Sequence, residues 1–253
     1  MSQDTNKAEF LNSVRAALGN SESLSREIPE VTGLAHGLPQ VQERVVQIKN
    51  EMSKNEDALF DEFEISARSG GWEVVRVPTY QDAAVCIEQL IRKLGITTAM
   101  RSAHTVLDNL ELEAKLLSLN IGLTLMAFDE QVGGRQTQRQ KFRDEALNTG
   151  LGITGVDWVI AETGSAVIEA KAGVSRLVSL LPPIHVAVVL KGQVVKSLDE
   201  LFVLRRNDYL ATGALSYVNI ITGPSRSADI DQTLVKGMHG PKEVHMIMVE
   251  QQD

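Results

Sequence analysis

Three polar segments, each joined to an apolar run, carry the residue types from which a reactive or binding site can be built. In the first, Glu162-Thr163-Gly164-Ser165, a carboxylate closes the run DWVIA, and a glycine then exposes backbone N–H groups beside two hydroxyls. That combination can hold an anion or a carbonyl oxygen, with Glu162 as general base or hydrogen-bond acceptor. A plain hairpin whose Thr163 and Ser165 satisfy the turn would use the same residues. In the second, Gly223-Pro224 breaks the run YVNIIT, and Ser225, Arg226, Ser227 and Asp229 follow closely. Arg226 can clamp a carboxylate or phosphate with two parallel hydrogen bonds while Ser225 adds a donor; alternatively Ser225 and Asp229 cap a helix and Arg226 pairs with Asp229. Gly237, His239, Gly240 and Pro241 form another rigid turn that offers His239 as a proton carrier. The third segment is RLVSLLPPIH, residues 176–185. Its Pro182-Pro183 pair fixes an extended backbone, Arg176 is a second candidate anion clamp, and His185 is either a proton donor or a hydrogen-bonded histidine at a strand edge.

Several chemistries are excluded or weakened by counting. Cys86 is the single cysteine and sits in the apolar helical context AAVCIEQL, which reads as an inert buried thiol rather than a nucleophile. One cysteine excludes an internal disulfide, and an iron–sulfur cluster, which needs a set of thiolates, cannot be assembled within one chain. The five histidines show neither H-x-x-x-H nor H-E-x-x-H spacing, so no metal site is expected. The glycines of GLGITG (150–155) match neither a dinucleotide nor a phosphate-loop spacing. A net charge of −8 does not favour nucleic acid or an anionic membrane, although it leaves room for a local site that holds a small anion. No apolar stretch has the length of a membrane span and the first residues are polar, so a cytoplasmic protein is expected.

Loops of this kind do chemistry only if a scaffold brings them together, and the hydrophobic pattern describes one. Apolar residues from Val41 to Ala67 recur at helical spacing up to Gly70-Gly71, which predicts one long helix. WEVVRV (72–77), Thr97–Arg101 and Gly122–Ala127 read as strands, with helices over Thr79–Leu94 and Leu107–Leu119 between them. Strands separated by helices of this length imply a mostly parallel sheet with helices on its faces. Two hairpins are expected farther on, DWVIAE with AVIEA and HVAVVL with VVK, then a helix over Leu198–Leu210 and strands at 217–222 and 243–249. The expected organisation is an N-terminal helix and linker arm over residues 1–40 and one α/β domain over 41–253, long enough to bury a sizeable core. In such sheets ligands collect beyond the carboxyl ends of the strands.

The segments ETGSAVIEA (162–170), RLVSLLPPIHVAVV (176–189) and TGPSRSADIDQTLVKGMHGPKEVH (222–245) resemble the LUD-domain family, over roughly residues 40–250. Asp231 stands where a glutamate is more usual. The resemblance implies a fold similar to the ribose-phosphate isomerase and CoA-transferase-like group, also shared with formyltetrahydrofolate cyclo-ligases. It further implies a part in oxidising L-lactate to pyruvate together with two iron–sulfur partner proteins, one of which joins a similar domain to a cysteine-rich ferredoxin-like region. This chain lacks such a region, so the expected cofactor complement is none of its own, with the clusters on the partners. The resemblance assigns no catalytic residues. The expectation is a non-redox subunit whose pocket joins residues 162–165, Arg176, His185 and 223–241 around a small carboxylate. The alternatives are a stand-alone transferase or ligase for an anionic acyl, CoA or folate-type substrate, and an adaptor that binds through its N-terminal arm.

Overall fold

A computed structural model describes residues 10, 12–14, 17, 37–128, 134–171, 173–214, 216–228 and 234–250. Most of the expected N-terminal arm, together with Asp229 and Asp231, lies outside the described residues. The helices are α1 Leu38–Lys54, α2 Glu56–Gly70, α3 Tyr80–Leu94, α4 Leu112–Leu117, α5 Arg135–Leu147, α6 Leu177–Leu180 and α7 Leu198–Thr212. The strands are β1 Glu73–Val77, β2 Thr98–Ser102, β3 Gly122–Met126, β4 Leu151–Gly155, β5 Trp158–Ile160, β6 Ser165–Glu169, β7 Ile184–Leu190, β8 Val194–Val195, β9 Val218–Ile221, β10 Arg226–Ala228, β11 Leu234–Lys236 and β12 Glu243–Val249.

Six strands form one sheet in the order β1-β12-β7-β4-β2-β3, parallel throughout. This is the α/β architecture that the alternating pattern predicts. A second, mixed sheet has the order β8-β5-β6-β9, and β10 pairs with β11 as an antiparallel ribbon. Side-chain alternation sorts the apolar residues into layers. Ala99, Ile153, Val186 and Ile247 face α3 and α4 through Ile87, Ile91, Leu112 and Leu116. On the other face Ala187, Val189, Met246 and Met248 meet Phe60 and Phe63 of α2 and Val159 and Ala166 of the second sheet. The outer side of that second sheet, Ile160, Val167 and Val195, is covered by Val45 and Ile48 of α1 and Leu201 and Leu204 of α7. Fully burying a side chain such as Phe60 or Ile48 contributes about 1.5–3 kcal/mol, and strands buried on both faces explain why β4 and β7 read as nearly unbroken apolar runs.

Three local expectations change, and one strand is found where none was assigned. The long helix is two helices, because Asn55 takes φ −116°, ψ 21° and its side-chain amide donates to the Glu51 carbonyl, ending α1. The helix expected over Leu107–Leu119 is a 3-10 turn, Thr105–Leu110, followed by α4, with Glu111 at φ 49° between them. HVAVVL and VVK are not a hairpin: β7 stays in the large sheet and β8 joins the second one beside β5. Gln193 makes that exit, since its Oε1 accepts from the Leu190 N–H at 2.7 Å and its Nε2 donates to the Val156 carbonyl at 2.6 Å. Finally, GLGITG contains a central buried strand, β4. The hairpin of β5 and β6 forms as expected. Among the described residues no helix is long and apolar enough to cross a membrane.

Candidate anion site at the strand switch point

The strand order creates one crevice. From β2 the chain moves outward to β3 and then returns to the other side of β2 as β4, so the connections beyond the carboxyl ends of β2 and β4 diverge, and ligands in open α/β sheets bind at such a switch point. His104 follows β2 there and Asp157 follows β4. Gly155 is needed for their approach: a Cβ on it would lie 2.4 Å from His104 Nδ1. That Nδ1 accepts the Val106 N–H at 3.3 Å, which in the neutral ring puts the proton on Nε2, 3.5 Å from Asp157 Oδ1. The same Oδ1 takes Lys171 Nζ at 2.6 Å, and Oδ2 accepts the Glu169 N–H at 2.7 Å. Nδ1 of His104 is therefore committed to the Val106 N–H, while the buried Nε2 makes no hydrogen bond among the described residues and faces Asp157 at ion-pair range, so that the histidine is a clamp across the crevice.

Burial alone would push the Asp157 carboxyl up, but His104, Lys171 and the Glu169 N–H outweigh it and hold the group at about 2. An aspartate that titrates lower when folded stabilises the protein above its ordinary pKa of 3.8 and loses that contribution as the pH falls through 2. Asp157→Asn is expected to cost about 2 kcal/mol near neutrality, and the difference from the parent protein should close as acid unfolding is followed below pH 3.8. A cost that stays constant with pH would rule out this account.

Beside the clamp lies a cavity of about 500 Å³. Arg139 and Arg143 reach it from α5, Lys171 and Arg176 from the connection between β6 and α6, and Met126, Phe128 and Phe142 supply an apolar wall. Among the described residues no carboxylate lines it. The connection is pinned to β2, because the Gly173 carbonyl accepts the Ala103 N–H at 2.9 Å. Gly173 takes φ +75° with its Cβ position only 2.7 Å from that of Ala103, so both backbone and space require glycine. The Arg176 guanidinium lies over the Tyr217 ring, 5.4 Å from its centroid, a cation–π contact that orients it.

The residues singled out in the sequence are divided between two ends of the sheet. The turns at 162–165 and 222–225 do meet: Thr163 Oγ1 is 2.8 Å from Ser165 Oγ, which is 2.9 Å from Thr222 Oγ1. They meet at the amino end, however. Arg226 Nη2 lies 3.5 Å from the Gly70 carbonyl, just before β1. The Ser225 N–H donates to the Pro241 carbonyl, just before β12, and its Oγ accepts the His239 N–H at 3.1 Å. The side chains of Arg226 and His239 are exposed. Glu162 Oε1 accepts the Leu198 N–H at 2.8 Å, at the start of α7. Gly164, at φ +63°, presses against the backbone of Ser66 and Ala67 in α2. Asp229 is outside the described residues.

Two members of the expected pocket are elsewhere. Arg176 lies at the carboxyl end, because α6 and Pro182-Pro183 carry the chain along the sheet from Gly173 to the start of β7. His185, the second residue of β7, is shut inside the core near the amino end instead of lining the polar turns, with Nε2 2.8 Å from Thr154 Oγ1 and its ring 6.0 Å from that of Trp72. Burial, reinforced by His245, pushes its pKa down to about 3. Conversely, sequence reasoning missed His104, Asp157, Lys171, Arg139 and Arg143. The available signal was the pairing of polar residues with strand ends, Ser102-Ala103-His104 and Val156-Asp157, beside closely spaced glycines.

Comparisons with known proteins agree with this architecture. Residues 60–249 match the family model described as the LUD domain. Lactate utilization protein C from Halalkalibacterium halodurans is 37% identical over 134 residues, covering 51% of this chain and 57% of that protein. The protein of the same name from Bacillus subtilis is 37% identical over 106 residues, 42% of this chain and 44% of the relative. The chain thus spans about half the length of the curated relatives it matches. The crystal structure of a DUF162 family protein from Deinococcus radiodurans superposes with a TM-score of 0.51 at 16% identity, covering 77% of this chain and 98% of that one.

Proposed function

Because the chain belongs to the LUD-domain family, we propose that it serves L-lactate utilization as a subunit that binds a small organic anion at the strand switch point and leaves electron transfer to iron–sulfur partner proteins. The observation that carries this reading is the cavity at the carboxyl ends of β2 and β3, where Arg139, Arg143, Lys171 and Arg176 converge with no carboxylate among the described lining residues. Such a cluster favours a carboxylate or phosphate, and a guanidinium can hold either with two hydrogen bonds. The name borne by the similar proteins supports lactate as the physiological context. The single cysteine supports the division of labour, since a cluster needs several thiolates.

The test is growth. A host deleted for this chain should fail to grow on L-lactate and recover with the parent gene, whereas a gene carrying Arg139→Gln and Arg176→Gln should restore growth poorly while its product accumulates normally. Undiminished lactate growth of the deletion strain would end the proposal.

A further inference from the structure

We propose that the switch-point cavity takes an organic phosphate bearing a flat ring, of mononucleotide size, rather than lactate alone; this rests on reading the cavity as the ligand site. Charge is the first argument. Lys171 is already paired with Asp157 at 2.6 Å and Arg176 is stacked on Tyr217. Arg139 and Arg143 remain, four residues apart on α5 and facing the same cavity, with no carboxylate lining it among the described residues. Like charges at this helical spacing repel. One carboxylate presents a single planar pair of oxygens and matches one guanidinium. A phosphate has three terminal oxygens and close to two charges at neutral pH, and it accepts from two guanidiniums at once.

Shape is the second argument. The cavity holds about 500 Å³, within the range of roughly 300–1,000 Å³ of sites that enclose ligands much larger than a three-carbon acid. Phe128 and Phe142 meet edge to face with centroids 5.5 Å apart. Phe142 is buried, but Phe128 keeps 43% of its surface exposed, which leaves a ring beside the cations for an aromatic group to pack on. Lactate brings neither a second charge for the arginines nor a surface for the phenylalanine. The fully buried Ser102 Oγ has no hydrogen-bond partner among the described residues, and it shares a face of β2 with Met100, which packs with the cavity residue Phe142.

Calorimetric titration of the full chain with adenosine 5′-monophosphate, adenosine, inorganic phosphate and L-lactate separates the contributions. The nucleotide should bind about tenfold or more tightly than each of the other three. The double variant Arg139→Gln, Arg143→Gln should lose about tenfold or more of that affinity with an unchanged melting temperature. Phe128→Ala should weaken the nucleotide and leave inorganic phosphate unaffected. The proposal is overturned if the nucleotide binds no better than L-lactate, if adenosine binds as well as its phosphate, or if the double variant binds the nucleotide normally. L-lactate binding that the double variant abolishes, with no nucleotide binding, would overturn this inference and keep the anion site. If neither ligand responds to the double variant, both readings fall.

Discussion

Gly152→Ala is expected to yield little folded protein. Gly152 lies in β4, the strand between β7 and β2, and a Cβ there would stand 1.8 Å from the Val178 carbonyl oxygen and 3.1 Å from Pro182 Cγ. The obstacle is the backbone of α6, which crosses directly over the strand. It has little room to retreat: Val178 is fully buried, Ser179 Oγ accepts from Asn219 Nδ2 at 3.2 Å, and two prolines follow. Overpacking a core costs about 1–3 kcal/mol when side chains can adjust. A clash between two backbones belongs with the rarer losses above about 4 kcal/mol, a large share of a typical total of about 5–15. Circular dichroism and urea unfolding would read this directly. Gly134→Ala is the control, since nothing lies within 4 Å of its Cβ position and a helix N-cap exchange of this kind costs about 1 kcal/mol or less. A Gly152→Ala protein with the parent unfolding midpoint would mean that α6 moves freely.

The second large effect is one of acidity and comes from His185. Burial first, and His245 second, lower its pKa from 6.5 to about 3 in the folded chain. Between those values the unfolded chain binds a proton that the folded chain refuses, so stability falls as the pH drops from 6.5 toward 3 and levels off below. The full difference is ~5 kcal/mol. Replacing His185 with glutamine removes the titration but keeps a polar group for Thr154 Oγ1. The variant should be the less stable protein at pH 7.5, and its deficit should shrink or reverse by pH 4.5, a range above the titration of Asp157. Parallel stability curves for the two proteins over that range would refute a neutral buried imidazole.

What the sequence reveals depends on how locally each feature is encoded. α3 is fully legible: Ala83, Ala84, Ile87 and Ile91 form its buried stripe, Thr79 caps it by accepting the Asp82 N–H, and Gly95 ends it at φ +64°. β4 is hidden because two of its five residues are glycines, which ordinarily weaken a strand; here they admit α6 and His104. α5 is hidden for the opposite reason, since only Gln138, Phe142 and Ala146 are buried along it and no apolar stripe marks it. The meeting of Ser165 with Thr222 follows from antiparallel pairing of β6 with β9. Which end of the large sheet those turns occupy is set by strand order, a property of the whole chain. The switch-point residues come from segments near 104, 139, 157 and 171, each unremarkable alone.

The single glutamine that ties Leu190 to Val156 has a mechanical consequence. Both places where the chain passes from the large sheet into the smaller one are fastened by one side chain, so the two layers are coupled at those passages. Displacing one sheet against the other at these two passages would break both hydrogen bonds, so there the layers travel as a single block.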